Sequence, residues 1–504
     1  MTRPSVSALQ PHGAGTRDDM PIARIDRRKR VPLARQIYER VLTAIDTGVL
    51  APGARVASAR ALASELGVAR GTVEAAYQRL AGEGYLLARG PAGTVVSPNL
   101  PASPRVPRAL AAARPGALSL SPLRSPSTGA PPFGALQMRR PLPLQLGIPA
   151  LDAFPRKLWS RLASRRIRAT SPADLGYGDP CGEPALRQAI AAYLLVSRGI
   201  VCGVDQVFVT TGYCASLELA VGVLLQRGNT VWIEDPCYPP TRTVLERASM
   251  IEHPVRVDEE GLDESVGRDT APHASMAVVT PSHHAPLCVS MTVSRRLALL
   301  DWASQANGWV FEDDYDGEFH YSGPTLPALK SLDARDRVIY AGSFSKVLFP
   351  ALSLGYLVVP KAVASSFEEA VQAAQNRGAR LLQATVADFM AGGHFARHLK
   401  KMRLLYARRR AWLVQALHDV FGAQLYVEQT RGGMHLVVRV RSPLGDRTLA
   451  RRAQQAGLHC QALSERYANA QRHQRGVLMG FTNVGSAEEA RQIAQRLRDA
   501  FAIR

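Results

Sequence analysis

The 504-residue chain has no apolar run near the roughly 20 residues that span a bilayer. Its opening, MTRPSVSALQPHGAGTRDDM, lacks the apolar centre of a secretory leader. Cysteine is sparse. The six (Cys181, Cys202, Cys214, Cys237, Cys288 and Cys460) include no C-x-x-C pair, so neither a disulfide framework nor a zinc motif is written in them. There is no internal repeat. These absences exclude membrane-spanning and disulfide-scaffold classes, and they predict a soluble cytoplasmic protein with no membrane partner and no metal. Acidic residues are in short supply: 42 Asp and Glu stand against 62 Lys and Arg, for a net charge of +20. That excess favours a polyanionic partner, nucleic acid above all. Its plain alternative is a general preference for arginine.

Hydrophobic residues make up 46% of the chain, enough for a large core, and the length predicts two or more domains. Residues 1–27 read as a disordered basic lead-in and 28–98 as a compact helical module. The stretch 99–138 is rich in Pro, Ala and Ser, and reads as a linker. From 139 to 504, strand-like apolar runs such as QVFVTTG, NTVWIEDP, MAVVTP, GWVFEDD and RVIYAGSFSK alternate with amphipathic helices. That alternation predicts a mostly parallel α/β sheet.

In the first module, Leu33, Ile37, Val41 and Ile45 share one helix face. SARALASELG (58–67) starts at a candidate N-cap, Ser58, and stops at Gly67. The next helix places Val73, Ala76, Tyr77 and Leu80 on its buried face, with Arg70, Thr72, Gln78 and Arg79 opposite. Two short helices joined by a tight turn form a helix-turn-helix, and YLLARGPAGTVVS (85–97) reads as a two-stranded wing. The run Q-x-x-x-x-V-x-x-x-I-x-x-G-x-L-x-P-G-x-R from Gln36 and the run L-A-x-x-L-G-V-x-R-x-T-V from Leu62 resemble the winged helix of the GntR superfamily of bacterial regulators. A-Y-x-x-L-x-x-E-G-Y-L from Ala76 and G-T-V-V from Gly93 extend the likeness. The resemblance implies double-stranded operator DNA as partner, met by Arg60, Arg70, Thr72 and the wing at Gly93 and Thr94. The alternative for the arginines is solvated surface charge. Ala69 stands where that family often has a serine, so the second helix lacks a side-chain cap.

In the second region, four strand ends carry chemistry. TTGYCASLELAVGVLL follows a strand with a glycine and a helix start, which suits phosphate. IEDPCYPPTRTVLE sets Tyr238 in a loop. VFEDDYDGEFHY presents Glu312, Asp313, Asp314 and Tyr315. SFSK ends a strand with two hydroxyls and Lys346. A lysine, an acid, an aromatic ring and an anion cradle are what a pyridoxal phosphate site needs. Singly, each has a bland reading as a cap, a turn or packing.

In this order, with FPRKLWSRL, LGYGDPCGEPALRQAIAAYL, RHLKKMRLLYARRR and GGMHLVV, these stretches resemble the fold type I, aminotransferase-like domain of MocR-type regulators, a branch of the GntR superfamily. The implied fold class is an N-terminal winged helix-turn-helix followed by an α/β aminotransferase-like domain with a mostly parallel sheet. The resemblance also implies a homodimer and a small-molecule effector. It makes Lys346 the Schiff-base lysine, Asp313 the partner of the pyridine nitrogen, Tyr315 that of the ring hydroxyl, and Tyr238 the stacking ring. Gly212, Tyr213, Ser343 and Ser345 would line the phosphate.

The pattern breaks in places. Seven residues after Lys346, where the family has a phosphate-clamping arginine, stands Ser353, so pyridoxal 5'-phosphate is a conditional cofactor. The H-Q-x-P-x-G segment reads His284-Ala285-Pro286-Leu287-Cys288. Cys214, Cys237 and Cys288 fall inside pocket motifs, either as a thiol-lined sensor or as drift among small residues. Arg242 and Arg475 are candidates for a substrate-carboxylate arginine. Three functions stay open: a DNA-binding regulator sensing through this domain, a working aminotransferase carrying a DNA tether, and a regulator whose pocket has lost the cofactor.

Overall fold

The computed structural model describes residues 25–26, 31–90, 93–98, 141–321, 327–374, 378–468 and 474–502. The chain divides into two compact units, Met1–Ser125 and Pro126–Arg504. The expected linker, 99–138, and all of the lead-in 1–27 except Ile25 and Asp26 lie outside the described residues. Those two are held: the Gln36 side chain accepts from the Asp26 amide at 3.2 Å and donates to the Asp26 carbonyl at 3.1 Å.

The first unit is a winged helix-turn-helix. Helix α1 (Leu33–Asp46) buries Ile37 and Val41. Helix α2 (Ala59–Leu66) is capped by Ser58, whose hydroxyl accepts from the Ala61 amide at 3.1 Å, and ends at Gly67 with φ +62°. Helix α3 (Arg70–Gly82) begins without a side-chain cap because Ala69 has no acceptor to offer. It buries Val73, Ala76, Tyr77 and Leu80, and the Tyr77 hydroxyl donates to the Ala57 carbonyl at 3.0 Å. Strands β1 (Leu86–Ala88) and β2 (Thr94–Val96) pair antiparallel as the wing, and Arg55 bridges to Val95 beside them.

The second unit opens with α4 (Arg156–Ala169) and α5 (Pro184–Arg198). It then alternates strand and helix: β3 (Val207–Thr210), α6 (Tyr213–Leu224), β4 (Thr230–Asp235), α7 (Pro239–Arg247), β5 (Ile251–Asp258), β6 (Gly261–Leu262), α8 (Glu264–Thr270), β7 (Met276–Val279), α9 (Val293–Gln305) and β8 (Trp309–Asp314). After β8 come β9 (Val338–Ser343), the short α10 (Phe344–Val347), β10 (Gly355–Val358), α11 (Ala364–Ala374), α12 (Arg380–Ala391) and α13 (His394–Phe421). A last portion holds β11 (Leu425–Val427), β12 (His435–Val440), α14 (Asp446–Gln455), β13 (Gln461–Ala462), β14 (Val477–Gly480) and α15 (Ala487–Phe501).

The main sheet has eight strands in the order β3-β10-β9-β8-β7-β4-β5-β6. The pairs β9–β8, β8–β7, β7–β4 and β4–β5 are parallel, whereas β10 runs antiparallel to β3 and β9. Its central strands are buried along their whole length, as apolar cores on both faces require. The second sheet, β11-β12-β14-β13, is antiparallel and packs with α13 and α15. The expected fold class is the one observed.

Register brings the motif-bearing ends together. Gly355 pairs with Thr210 on one side and Ser343 on the other. Asp314 pairs with Gly342. The turn before α6, the lysine turn after β9 and the acidic end of β8 therefore lie side by side.

Candidate functional site

Lys346 sits on α10, directly after β9, because the strand ends at Ser343 and the Ser343 hydroxyl caps the turn by accepting from the Ser345 amide at 3.2 Å. The Lys346 Nζ donates to the Gly147 carbonyl at 3.0 Å. Gly147 has φ +70°, and a Cβ there would fall 2.7 Å from that Nζ, so glycine is required at this close approach. Burial lowers the Lys346 pKa, and Asp313 and Asp316 partly offset this.

Asp313 ends β8 and is buried. Burial first, then the Asp314, Asp316 and Glu234 carboxyls, pushes its pKa well up, with Lys346 opposing. Tyr315 follows, and its hydroxyl is buried without a hydrogen-bond partner. Asp314 faces elsewhere: it pairs with Arg198 at 2.6 Å and accepts from the Tyr340 hydroxyl at 2.6 Å. Neighbouring carboxyls thus take different roles because alternate residues of a strand point to opposite faces.

Tyr238 caps α7 and meets Tyr213 edge to face, with ring centroids 5.6 Å apart. The Tyr213 hydroxyl shares a hydrogen bond of 2.6 Å with Thr241. That ring is thereby fixed as support for Tyr238, and the backbone of residue 213 is what remains to face a phosphate. Gly212, with φ +120°, caps α6, and a Cβ there would meet nothing within 4 Å. The turn is therefore open. Ser353 lies at the same turn: its hydroxyl donates to the Thr211 carbonyl at 3.1 Å, from a residue with φ +47°. Where the family places a cation, this chain has a neutral tether on the residue before Gly212.

Around these residues lies a polar layer that sequence reasoning did not identify. Glu234 on β4 accepts from the Thr280 amide at 3.0 Å and the Thr280 hydroxyl at 2.7 Å, and it lies 3.5 Å from His284. Burial pushes Glu234 up to about 8 and His284 down to about 3, so the proton stays on the acid. His283 pairs with Asp316 at 3.0 Å. Cys288, at φ +57°, brings its sulfur 3.2 Å from His435 Nε2. That nitrogen donates to the Pro286 carbonyl at 2.8 Å, so it is not a base for the thiol.

The pocket cysteines do not act as one group. Burial pushes Cys237 to about 12 and Cys288 well up, which keeps both as thiols, whereas Cys214 is exposed on α6. Among the described residues no group of three His, Cys, Asp or Glu side chains is set to hold a metal. Arg242 is paired with Glu252 at 3.1 Å, and Arg475 lends only its carbonyl, to Arg439. Arg466 is the better-placed cation. It is within electrostatic reach of Tyr238, forms no ion pair among the described residues, and has its pKa lowered by burial. An Arg-Tyr dipeptide in a loop was its only sequence signal.

In the first unit, Arg60 is exposed on α2 and Arg70 is exposed at the start of α3. Arg70 Nε donates to Glu74 at 2.7 Å. Thr72 is half-buried one turn into α3, and Thr94 begins β2. Gly93, at φ +88°, lies under the Arg55 guanidinium, 3.0 Å from where a Cβ would be. Arg79 is already engaged, with Glu83 at 3.0 Å and over the Tyr38 ring at 4.3 Å.

Two family models match the chain: bacterial regulatory proteins of the gntR family over residues 33–96, and aminotransferase class I and II over residues 147–494. The chain is 35% identical over 477 residues to the probable rhizopine catabolism regulatory protein MocR of Rhizobium meliloti, covering 95% of each. It is 30% identical over 493 residues to the HTH-type pyridoxine biosynthesis transcriptional regulator PdxR of Corynebacterium glutamicum, covering 96% of this chain and 99% of that one. Pyrococcus horikoshii kynurenine aminotransferase superposes with a TM-score of 0.65 at 24% identity, over 73% of this chain and 96% of that one. At that identity the likeness is one of fold. No helix of the described residues is long and apolar enough to cross a membrane.

Proposed function

The chain belongs to the MocR-type branch of the gntR-family transcriptional regulators, which bind DNA and carry an aminotransferase-like domain, and from that premise we propose that its domain senses an amine effector through pyridoxal phosphate held at Lys346. The carrying observation is the convergence of Lys346, Asp313 and Tyr315 at neighbouring strand ends, with the Tyr315 hydroxyl unpaired. The residues present fit the cofactor. Tyr315 has a donor to spare for a ring hydroxyl. Asp313, held up by burial and by like charges, gains from a cationic ring nitrogen opposite it. The open α6 N-terminus at Gly212 suits an anion. Bound there, the group would supply an electrophilic carbonyl on an electron-withdrawing ring.

The lowered Lys346 pKa makes the neutral, nucleophilic amine more available. Tyr238, braced by Tyr213, offers a ring face for stacking. Arg466 supplies a cation for an anionic end of the effector. Ser343, Ser345 and the backbone of 212–213 hold the phosphate, and Ser353 fixes the turn without adding charge. Arg60, Arg70, Thr72, Gly93 and Thr94 contact operator DNA, the arginines at phosphates or base edges and the wing at the minor groove. The domain pairs as a homodimer, and exposed Ile167, Leu175 and Tyr177 provide apolar surface for that contact. Effector binding then shifts the placement of two DNA-binding heads.

The test is operator affinity and footprint with and without pyridoxal phosphate, in the wild type and in Lys346→Ala. A cofactor effect that needs Lys346 supports the reading. Identical binding in all four conditions sinks it.

A further inference from the structure

Away from Lys346, a cavity of about 850 Å³ opens among α5, α12 and the first turns of α13. None of the residues assigned above to cofactor or effector lines it. Protein interiors are close-packed and tolerate few voids larger than a water molecule. This volume instead lies within the ~300–1,000 Å³ of small-molecule sites. The space exists because the helix faces around it carry small side chains, among them Ala189 and Ala192 of α5 and Ala387 and Ala391 of α12. Tyr193 and Phe395 add an edge-to-face aromatic pair with centroids 5.1 Å apart.

The polar groups on its wall are incompletely paired. The Tyr193 hydroxyl donates to Glu318 Oε1 at 3.1 Å, but Glu318 Oε2 is closed off from solvent and meets no donor. The Arg198 side chain is 5% exposed, and its terminal nitrogens bind Asp314 at 2.6 Å and Ser282 at 2.7 Å. Its Nε–H is buried and meets no acceptor. Buried polar atoms are nearly always paired. One orphaned acceptor and one orphaned donor on the residues lining a single cavity therefore define the head group that completes them.

Charge narrows the choice. Asp388 is already neutralised by Arg166 through bonds of 2.8 and 2.7 Å. An ammonium head would satisfy Glu318 but face the Arg198 N–H. A carboxylate would satisfy Arg198 but face Glu318. A hydroxyl both donates and accepts. Burial and Asp314 push Glu318 upward, toward its neutral acid form, which suits an uncharged occupant.

We propose that this cavity is a second ligand site, for a small uncharged molecule with a hydroxyl head and an apolar body, whose head touches the continuation of the strand end carrying Asp313 and Tyr315. Gly317, between Tyr315 and Glu318, leaves no slack in that continuation: a Cβ there would fall 2.1 Å from Asp314 Oδ1.

The experiment is calorimetric titration of the full chain with cyclohexanol, cyclohexylamine and cyclohexanecarboxylate, which share a ring and differ in head group. Cyclohexanol binds saturably and more tightly than the other two. Ala192→Trp, a substitution at an exposed helix position that fills the cavity, weakens it by at least about tenfold, a difference well resolved by titration. Glu318→Leu weakens it as well. Absence of saturable binding, equal affinity in the wild type and Ala192→Trp, or tighter binding of the amine or the carboxylate overturns the proposal. Ala192→Trp leaves the core intact, so the test stands even where Glu318→Leu fails to fold.

Discussion

Arg70 enters the recognition helix already bonded to Glu74, and the value of that bond decides whether it obstructs DNA. An exposed i,i+4 pair is worth only about 0.3–0.5 kcal/mol, whereas a good arginine–base contact is worth ~1–3 kcal/mol. The phosphate or base wins. Arg70→Ala is therefore expected to weaken operator binding by about 1–3 kcal/mol and leave the oligomeric state untouched, as read by anisotropy and sedimentation. Unchanged affinity would remove Arg70 from the interface. Ser353 calls for the same kind of comparison. Restoring an arginine at this position adds a charged bond to the phosphate, and Ser353→Arg should tighten pyridoxal phosphate binding by ~1.5–3 kcal/mol. No gain would mean that the phosphate does not lie at the 211–213 turn. Lys346, Asp313 and Tyr315 were legible because each ends an apolar strand run, where side chains reach a common edge. Gly147 was not, since it lies 199 residues from Lys346 in a stretch without a motif, and only the fold joins them. Arg466 was hidden for the same reason.

At the scale of elements, α3 starts uncapped, and its residue before the first turn is already extended, at φ −65° and ψ +140°. A serine fits that backbone. Ala69→Ser should raise the stability of the winged helix by ~0.5–2 kcal/mol, seen as a higher unfolding temperature. A fall would show that the turn cannot present the hydroxyl to α3. The end of β4 carries a pH dependence. Glu234 holds its proton in the fold up to about 8, while an unfolded glutamate loses it near ~4.3. Over that range the folded state binds more protons, so stability falls as pH rises from about 4.3 to 8. Glu234→Gln should flatten that loss in thermal unfolding profiles. An unchanged slope would locate it elsewhere. Alternating strand and helix runs made the sheet readable from the sequence. Its strand order, and the antiparallel β10 that sets Gly355 between Thr210 and Ser343, were not, because pairing between distant strands leaves no local signature.

For the whole molecule, the net charge of +20 and the winged helix point to the same polyanion, and the second unit adds a chamber for a small effector. What joins these is the state of one lysine. The most direct measurement is the near-visible absorbance of the full chain titrated with pyridoxal phosphate, beside Lys346→Ala. A saturable band in the wild type that is absent in the variant, with operator binding retained by both, is the predicted result. No band in the wild type, or an equal band in Lys346→Ala, would contradict the cofactor site and leave a DNA-binding regulator with an empty aminotransferase fold.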